Sequence, residues 1–174
     1  SALKASGLLS MKIGGPSVFP PQPAGVQDTA YGGSAWKPST GEDRHRRSLY
    51  TYTKRTAPFA LTATFDGPSG EACVAKREVS NTSLQALTLL NDVFFVEVSQ
   101  AMGRRLAADD GPVETRIRDA FRRCLTRPPT EEEVAALAQF FAMQKQRFAR
   151  GDLDAKLVAG EGPGDVTERA AWTV

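Results

Sequence analysis

Two short patterns, Thr82-Ser83-Leu84-Gln85 and Thr130-Glu131-Glu132-Glu133, each place a hydroxyl residue three positions before a Gln or Glu at the head of an apolar run. In such a capping box the hydroxyl accepts from the backbone N–H of the third residue, whose own side chain reaches back, so two donors of a helix start are met together. After the first box, Leu84, Leu87, Asn91, Phe94 or Phe95, Val98, Met102 and Leu106 recur at helical spacing to about Ala108. Asn91 interrupts that stripe and Asp92 is a good cap, which sets two helices joined at Asn91-Asp92 beside one long one. The second box opens a helix with Val134, Leu137, Ala138, Phe141 and Phe148 on its apolar face, closing near Gly151. Between them Pro112 starts a helix whose buried face is Val113, Ile117, Ala120, Phe121 and Cys124, stopped by Arg127-Pro128-Pro129. The short link makes these last two helices antiparallel neighbours. Brief helices follow at Asp154 to Val158 and from Asp165. Leu87, Phe94, Val98, Ile117, Phe121, Leu137 and Phe141 are expected to be largely buried.

The first half reads differently. Leu3 to Met11 is a helix stopped by Gly14-Gly15-Pro16, and residues 14–41 hold six Gly and five Pro in 28 positions, which predicts extended, irregular chain. Val18, Phe19, Val26, Tyr31 and Trp36 punctuate it, so it is expected to wrap the domain and dock those side chains. Ser48 to Lys54 alternates with period two and reads as a short strand, with threonine-rich Leu61 to Phe65 as its partner or a second extended piece. The fold class expected is mainly α: antiparallel helix pairs, a long Pro/Gly-rich wrapping arm and at most one small β-hairpin. The whole of 1–174 reads as a single domain, with a helix in 1–13, the extended arm in 14–47, short strands and turns in 48–80, and a helical part in 81–174. The opening Ser1-Ala2-Leu3 and the stop at Trp172-Thr173-Val174, early in a helix, suggest a piece excised from a larger protein.

Composition narrows the function classes. With 22 basic against 20 acidic residues the net charge is +2, too mild for a nucleic-acid-tracking surface. Apolar runs such as Val93 to Val96 fall far short of the ~20 residues that span a bilayer. One histidine, His45, and two cysteines, Cys73 and Cys124, write no zinc site and no Cys-x-x-Cys-His haem attachment. Cys124 reads as a buried thiol, and the two cysteines are either bridged or inert. Pairing of Cys73 with His45 as nucleophile and base is a weak signal, since His45 lies in the charged run Glu42 to Arg47.

The densest unusual feature is Arg44, Arg46, Arg47, Lys54, Arg55, Lys76 and Arg77, interleaved with Tyr50 and Tyr52 and opposed within 44–77 only by Asp66 and Glu71. Guanidinium groups beside aromatic faces suit oxyanions, so Arg46, Arg47, Arg55, Arg77, Tyr50 and Tyr52 form a candidate anion site. The competing reading pairs some of these arginines with internal carboxylates or helix C-terminal carbonyls and leaves the rest solvated. Asp66, Asn91 and Asp92 form a candidate polar site, against which stand ordinary turn and cap duties.

Arg46 to Tyr50, Lys54 to Pro58, Thr64-Phe65-Asp66-Gly67-Pro68-Ser69, Cys73 to Arg77 and Asn81 to Leu87 through Leu89 to Asp92 together resemble the planctomycete-specific PSD domain of unknown function. Gly7-Leu8-Leu9, Gly14 to Pro23 and Arg127-Pro128-Pro129-Thr130 extend the resemblance over almost the whole chain. The resemblance implies the C-terminal part of a large exported protein, hence an extracytoplasmic location, with an upstream domain and often a cytochrome c domain that would carry any haem; no cofactor is implied in this piece. It brings no reaction and no catalytic residues.

The expectation is therefore a non-catalytic accessory or docking module, whose partner is the upstream domain of the same parent chain. The alternative is part of a composite hydrolase or carbohydrate-processing site, with the Arg and Tyr cluster holding an anionic polysaccharide and Asp66 or Asp92 as acid or base. Whether the chain is an enzyme is left open.

Overall fold

The computed structural model describes residues 2–23, 36–54, 57–68 and 73–174. The described elements are helical: α1 (Ala2–Ser6), α2 (Ala60–Thr64), α3 (Ser83–Asn91), α4 (Val93–Ala107), α5 (Val113–Leu125), α6 (Glu131–Arg150), α7 (Ala155–Ala159) and α8 (Val166–Thr173), with 3-10 turns at Gly41–His45 and Ser48–Tyr50. Contacts gather into two compact units, residues 9–96 and residues 1–8 with 97–174, the division falling within α4.

Both capping boxes form as expected. Thr82 accepts from Gln85 N while Thr82 N donates to Gln85 Oε1, and Thr130 and Glu133 exchange the same pair of bonds. The helices on either side of Asn91-Asp92 are separate: Asp92 is extended and its carboxylate accepts from Phe94 N at 2.8 Å, as a cap does. Gly151, at φ +81, closes α6 in the left-handed conformation that only glycine adopts cheaply.

Among the described residues of 9–96 the chain is held by few backbone pairs and much aromatic packing. Val18 N donates to Tyr50 O and Tyr52 N to Val18 O, both at 2.8 Å, making one isolated parallel bridge between Val18 and Thr51. Around it Phe19 packs on Trp36 at 5.1 Å and Tyr52 at 5.0 Å, and Trp36 stacks on Phe59 at 5.6 Å. Val18 and Phe59 are buried. Val26 and Tyr31 lie outside the described residues.

Three expectations are corrected here. The first helix ends at Ser6, not Met11, because Gly7 N turns back to Lys4 O. Ser48 to Lys54 is no strand: residues 48–50 wind into a 3-10 turn, and only Thr51 bridges. Leu61 to Phe65 is helical instead, since the Thr62 and Thr64 hydroxyls donate back to the Phe59 and Ala60 carbonyls and so satisfy themselves within α2. Among the described residues there is no hairpin.

In the other unit α8 packs on α6 and α7, and α5 packs on α6 across the link 126–130. Phe141, Phe148, Ala159, Ala170 and Ala171 form the core. Phe141 stacks on Trp172 with ring centroids 4.2 Å apart. Gly103 lets α4 approach α8 closely: a Cβ there would collide with the Thr173 hydroxyl and stand 3.0 Å from the Arg169 carbonyl. Buried Arg116 reaches from α5 to the Leu106 carbonyl and to Glu168, which Lys145 also contacts at 2.9 Å.

The burial expectations divide. Ile117 and Phe141 are buried and Phe94, Val98 and Phe121 are half-buried, but Leu87 and Leu137 are exposed, and so is Cys124. Leu137, Phe121 and Cys124 line an apolar groove of about 280 Å³ between α4, α5, α6 and α8, so their shared stripe meets an open gap and not a closed core.

Candidate functional site

The candidate anion residues fall into separate settings. Arg46 follows the 3-10 turn at Gly41–His45, and its side chain is withdrawn from water. Its Nη2 donates to the carbonyls of Lys12 (3.1 Å) and Gly14 (2.6 Å), and its guanidinium lies 3.7 Å from the centre of the Tyr50 ring. Tyr50 completes the loop by accepting from Gly14 N at 2.9 Å. Asp43 stands 3.9 Å from Arg46 Nη1 and 3.2 Å from Lys12 Nζ. Arg46 and Tyr50 thus meet, as a clasp over residues 12–14.

Arg77 is engaged elsewhere, donating to the Phe65 carbonyl at 2.9 Å and the Asp66 carbonyl at 3.2 Å. Tyr52 packs against Phe19, and Arg47 is half-buried with its Nε enclosed and without an acceptor. Arg55 lies outside the described residues. The Arg77 acceptors stand at the end of α2, whereas those of Arg46, the carbonyls of residues 12 and 14, belong to a loop.

The polar candidates have structural partners too. Asp66 sits at φ +56, a turn conformation that Asp tolerates, and its carboxylate accepts from Ser80 N (2.8 Å), the Ser80 hydroxyl (2.7 Å) and Gln85 Nε2 (3.3 Å). The Ser80 backbone and hydroxyl bonds hold its carboxyl below the ordinary aspartate value. Asn91 donates to the Leu87 carbonyl one turn back, and Asp92 caps α4.

Two participants escaped the sequence reading. Gln85 is a box residue by sequence, yet its amide is buried and also donates to Thr64 O and Ser80 Oγ, both at 3.0 Å, tying α2, Asp66 and Ser80 to α3. Arg116 had a usable signal: it lies three residues after Val113 and four before Ala120, on the apolar stripe itself. Both cysteines are free and exposed, and among the described residues no group of three metal-ligating side chains comes together. Among the same residues no helix is long and apolar enough to cross a membrane.

The family model PSD1, described as a protein of unknown function (DUF1553), matches residues 1–141. The chain belongs to this family. No curated protein and no solved structure matches it. Within PSD1 the matched span takes in the Arg46 clasp, the Asp66 turn and both capping boxes.

Proposed function

We propose that this PSD1 chain is a non-catalytic accessory module of a larger exported, multidomain protein, acting outside the cytoplasm by docking against another domain of the same parent chain. The observation that carries the reading is the employment of its polar candidates. Arg46 and Arg77 donate to backbone carbonyls, Asp66 accepts from Ser80 and Gln85, and Asp92 caps a helix. Losing Arg46 leaves its partly buried carbonyl acceptors unmet at about 1–3 kcal/mol, while the Arg77 and Asp66 bonds, nearer the surface, fix the turn at residues 65–66. The exported, multidomain setting rests on the family resemblance.

The test measures thermal stability and affinity for a sulfated dextran on Arg46→Ala and Arg77→Ala in the same preparations. The accessory reading expects a lowered melting temperature with polyanion affinity unchanged. Unchanged stability with affinity lost overturns it in favour of an anionic-glycan site.

A further inference from the structure

The α3 helix is packed inside out. Its buried side chain is Gln85, tied to Thr64, Asp66 and Ser80; Leu89 exposes half of its surface on the flank, and Leu84, Leu87 and Leu90 expose 58%, 58% and 78%. Spaced by three, these leucines run down one side of the helix, away from the polar anchor. A helix on a soluble domain ordinarily turns its apolar stripe inward and its polar residues to water. Here the capping box and the Gln85 amide contacts fix the opposite orientation, so the exposure of the leucines is built in and is not the accident of one side chain.

We infer that the Leu84-Leu87-Leu90 face is a docking surface for an apolar, uncharged surface carried by another domain of the same polypeptide, a surface assignment that rests on the accessory reading above. Two features select this occupant. The first is charge: Ser83–Asn91 contains no ionisable residue, and the adjacent Asp92 carboxylate is turned onto Phe94 N. A charged partner surface would lose its hydration there without gaining a counter-charge. A lipid surface is disfavoured on the same ground, because helices that lie on membranes carry basic residues beside their apolar face.

The second feature is size. Burying a leucine side chain removes roughly 60–120 Å² of apolar surface from water, so even with the exposed Leu89 and Val93 added the patch supplies roughly 300–600 Å². A stable complex of free partners buries about 800 Å² on each side. A face this small holds a freely diffusing partner, or a second copy of the chain, poorly. A domain on the same polypeptide meets it at an effective concentration of about millimolar, which makes a small face sufficient.

The experiment introduces a thiol by Leu90→Cys, and in a second variant by Leu87→Cys, into the full parent polypeptide and follows maleimide labelling by peptide mapping. The native Cys73 and Cys124, both exposed, serve as internal references. The docked face predicts labelling at least tenfold slower at the introduced thiol than at Cys73 in both variants, in a molecule that sediments as a monomer. Labelling as fast as Cys73 in either variant overturns the proposal. So does protection that appears only on adding phosphatidylglycerol vesicles, or only in a sedimenting dimer. Labelling reads this face alone, whereas the accessory reading fails on polyanion affinity, so the two failures are distinct.

Discussion

Arg116 Nη1, on α5, stands 2.8 Å from the Glu168 carboxylate on α8 and 3.0 Å from the Leu106 carbonyl at the end of α4. One guanidinium nitrogen therefore joins three helices whose apolar contacts alone leave an open groove. Lys145 on α6 takes the other Glu168 oxygen, and the Arg116 guanidinium lies 5.1 Å from the Trp172 ring. Burial pushes the Glu168 carboxyl up, but the hydrogen bonds and charges of Lys145 and Arg116 together outweigh it and leave it below the ordinary glutamate value.

Replacing Arg116 by Met removes the cation and strands Glu168 with Lys145. Because Glu168 keeps Lys145 as a partner and 21% of its side chain in water, the expected cost is about 1–3 kcal/mol, below that of an uncompensated buried charge. Urea unfolding followed by tryptophan fluorescence measures it; a loss under about 0.5 kcal/mol would show that the pair does not hold α8.

The second capping box gives a pH prediction. The Arg127 hydrogen bonds, with that from Thr130 N, draw the Glu133 carboxyl down to about 2. A carboxyl lower in the folded than in the unfolded chain contributes stability that is complete above pH about 4.5 and is lost as pH falls through about 2. Melting temperatures of Glu133→Gln should therefore fall less steeply than those of the wild type in that window. Thr130→Ala, which removes the cap acceptor, should cost about 1 kcal/mol at neutral pH.

Gly103→Ala is expected to destabilise by about 1–3 kcal/mol, as overpacked contacts do. The added methyl meets the Thr173 hydroxyl and the Arg169 carbonyl, and Arg169, itself buried, is poorly placed to yield. Pairing it with Thr173→Ala should recover part of the loss, measured as a double-mutant cycle; strict additivity would place the strain elsewhere.

Phe141→Ala should cost about 3–5 kcal/mol, since the ring is buried and stacked on Trp172. Phe121→Ala should cost less, because Phe121 lines the open groove and is only half-buried. Denaturant midpoints of the two variants give the order, and equal losses would mean that the groove is closed in solution.

The boundaries of α3 to α6 were legible because their causes are local: a hydroxyl and a Gln or Glu three residues apart, an Asp after a broken stripe, a Gly at the end. What covers a stripe is not local. Leu87 and Ile117 sit in equally regular patterns, yet one faces out and the other is among the most buried residues. The difference is set by Gln85, whose partners Thr64 and Asp66 lie about twenty positions away along the chain. The Leu61 to Phe65 segment was misread for a related reason, since threonine favours strands on average but in α2 meets its hydroxyl bonds inside one turn. The arginine-rich run holds Arg46 and Tyr50, which meet in the structure. It had no means of showing that the acceptors would be carbonyls of residues 12 and 14, more than thirty positions upstream.

The family match stops at residue 141, inside α6 and at the ring that stacks on Trp172. The matched span and the folded core therefore end in different places. Residues 142–174 lie outside the matched span, yet they supply Phe148, Ala159, Ala170 and Ala171, most of the core into which Phe141 is set. A gene fragment cut where the match ends would encode α5 and half of α6 with their apolar sides facing water, and would be expected to collect as insoluble protein.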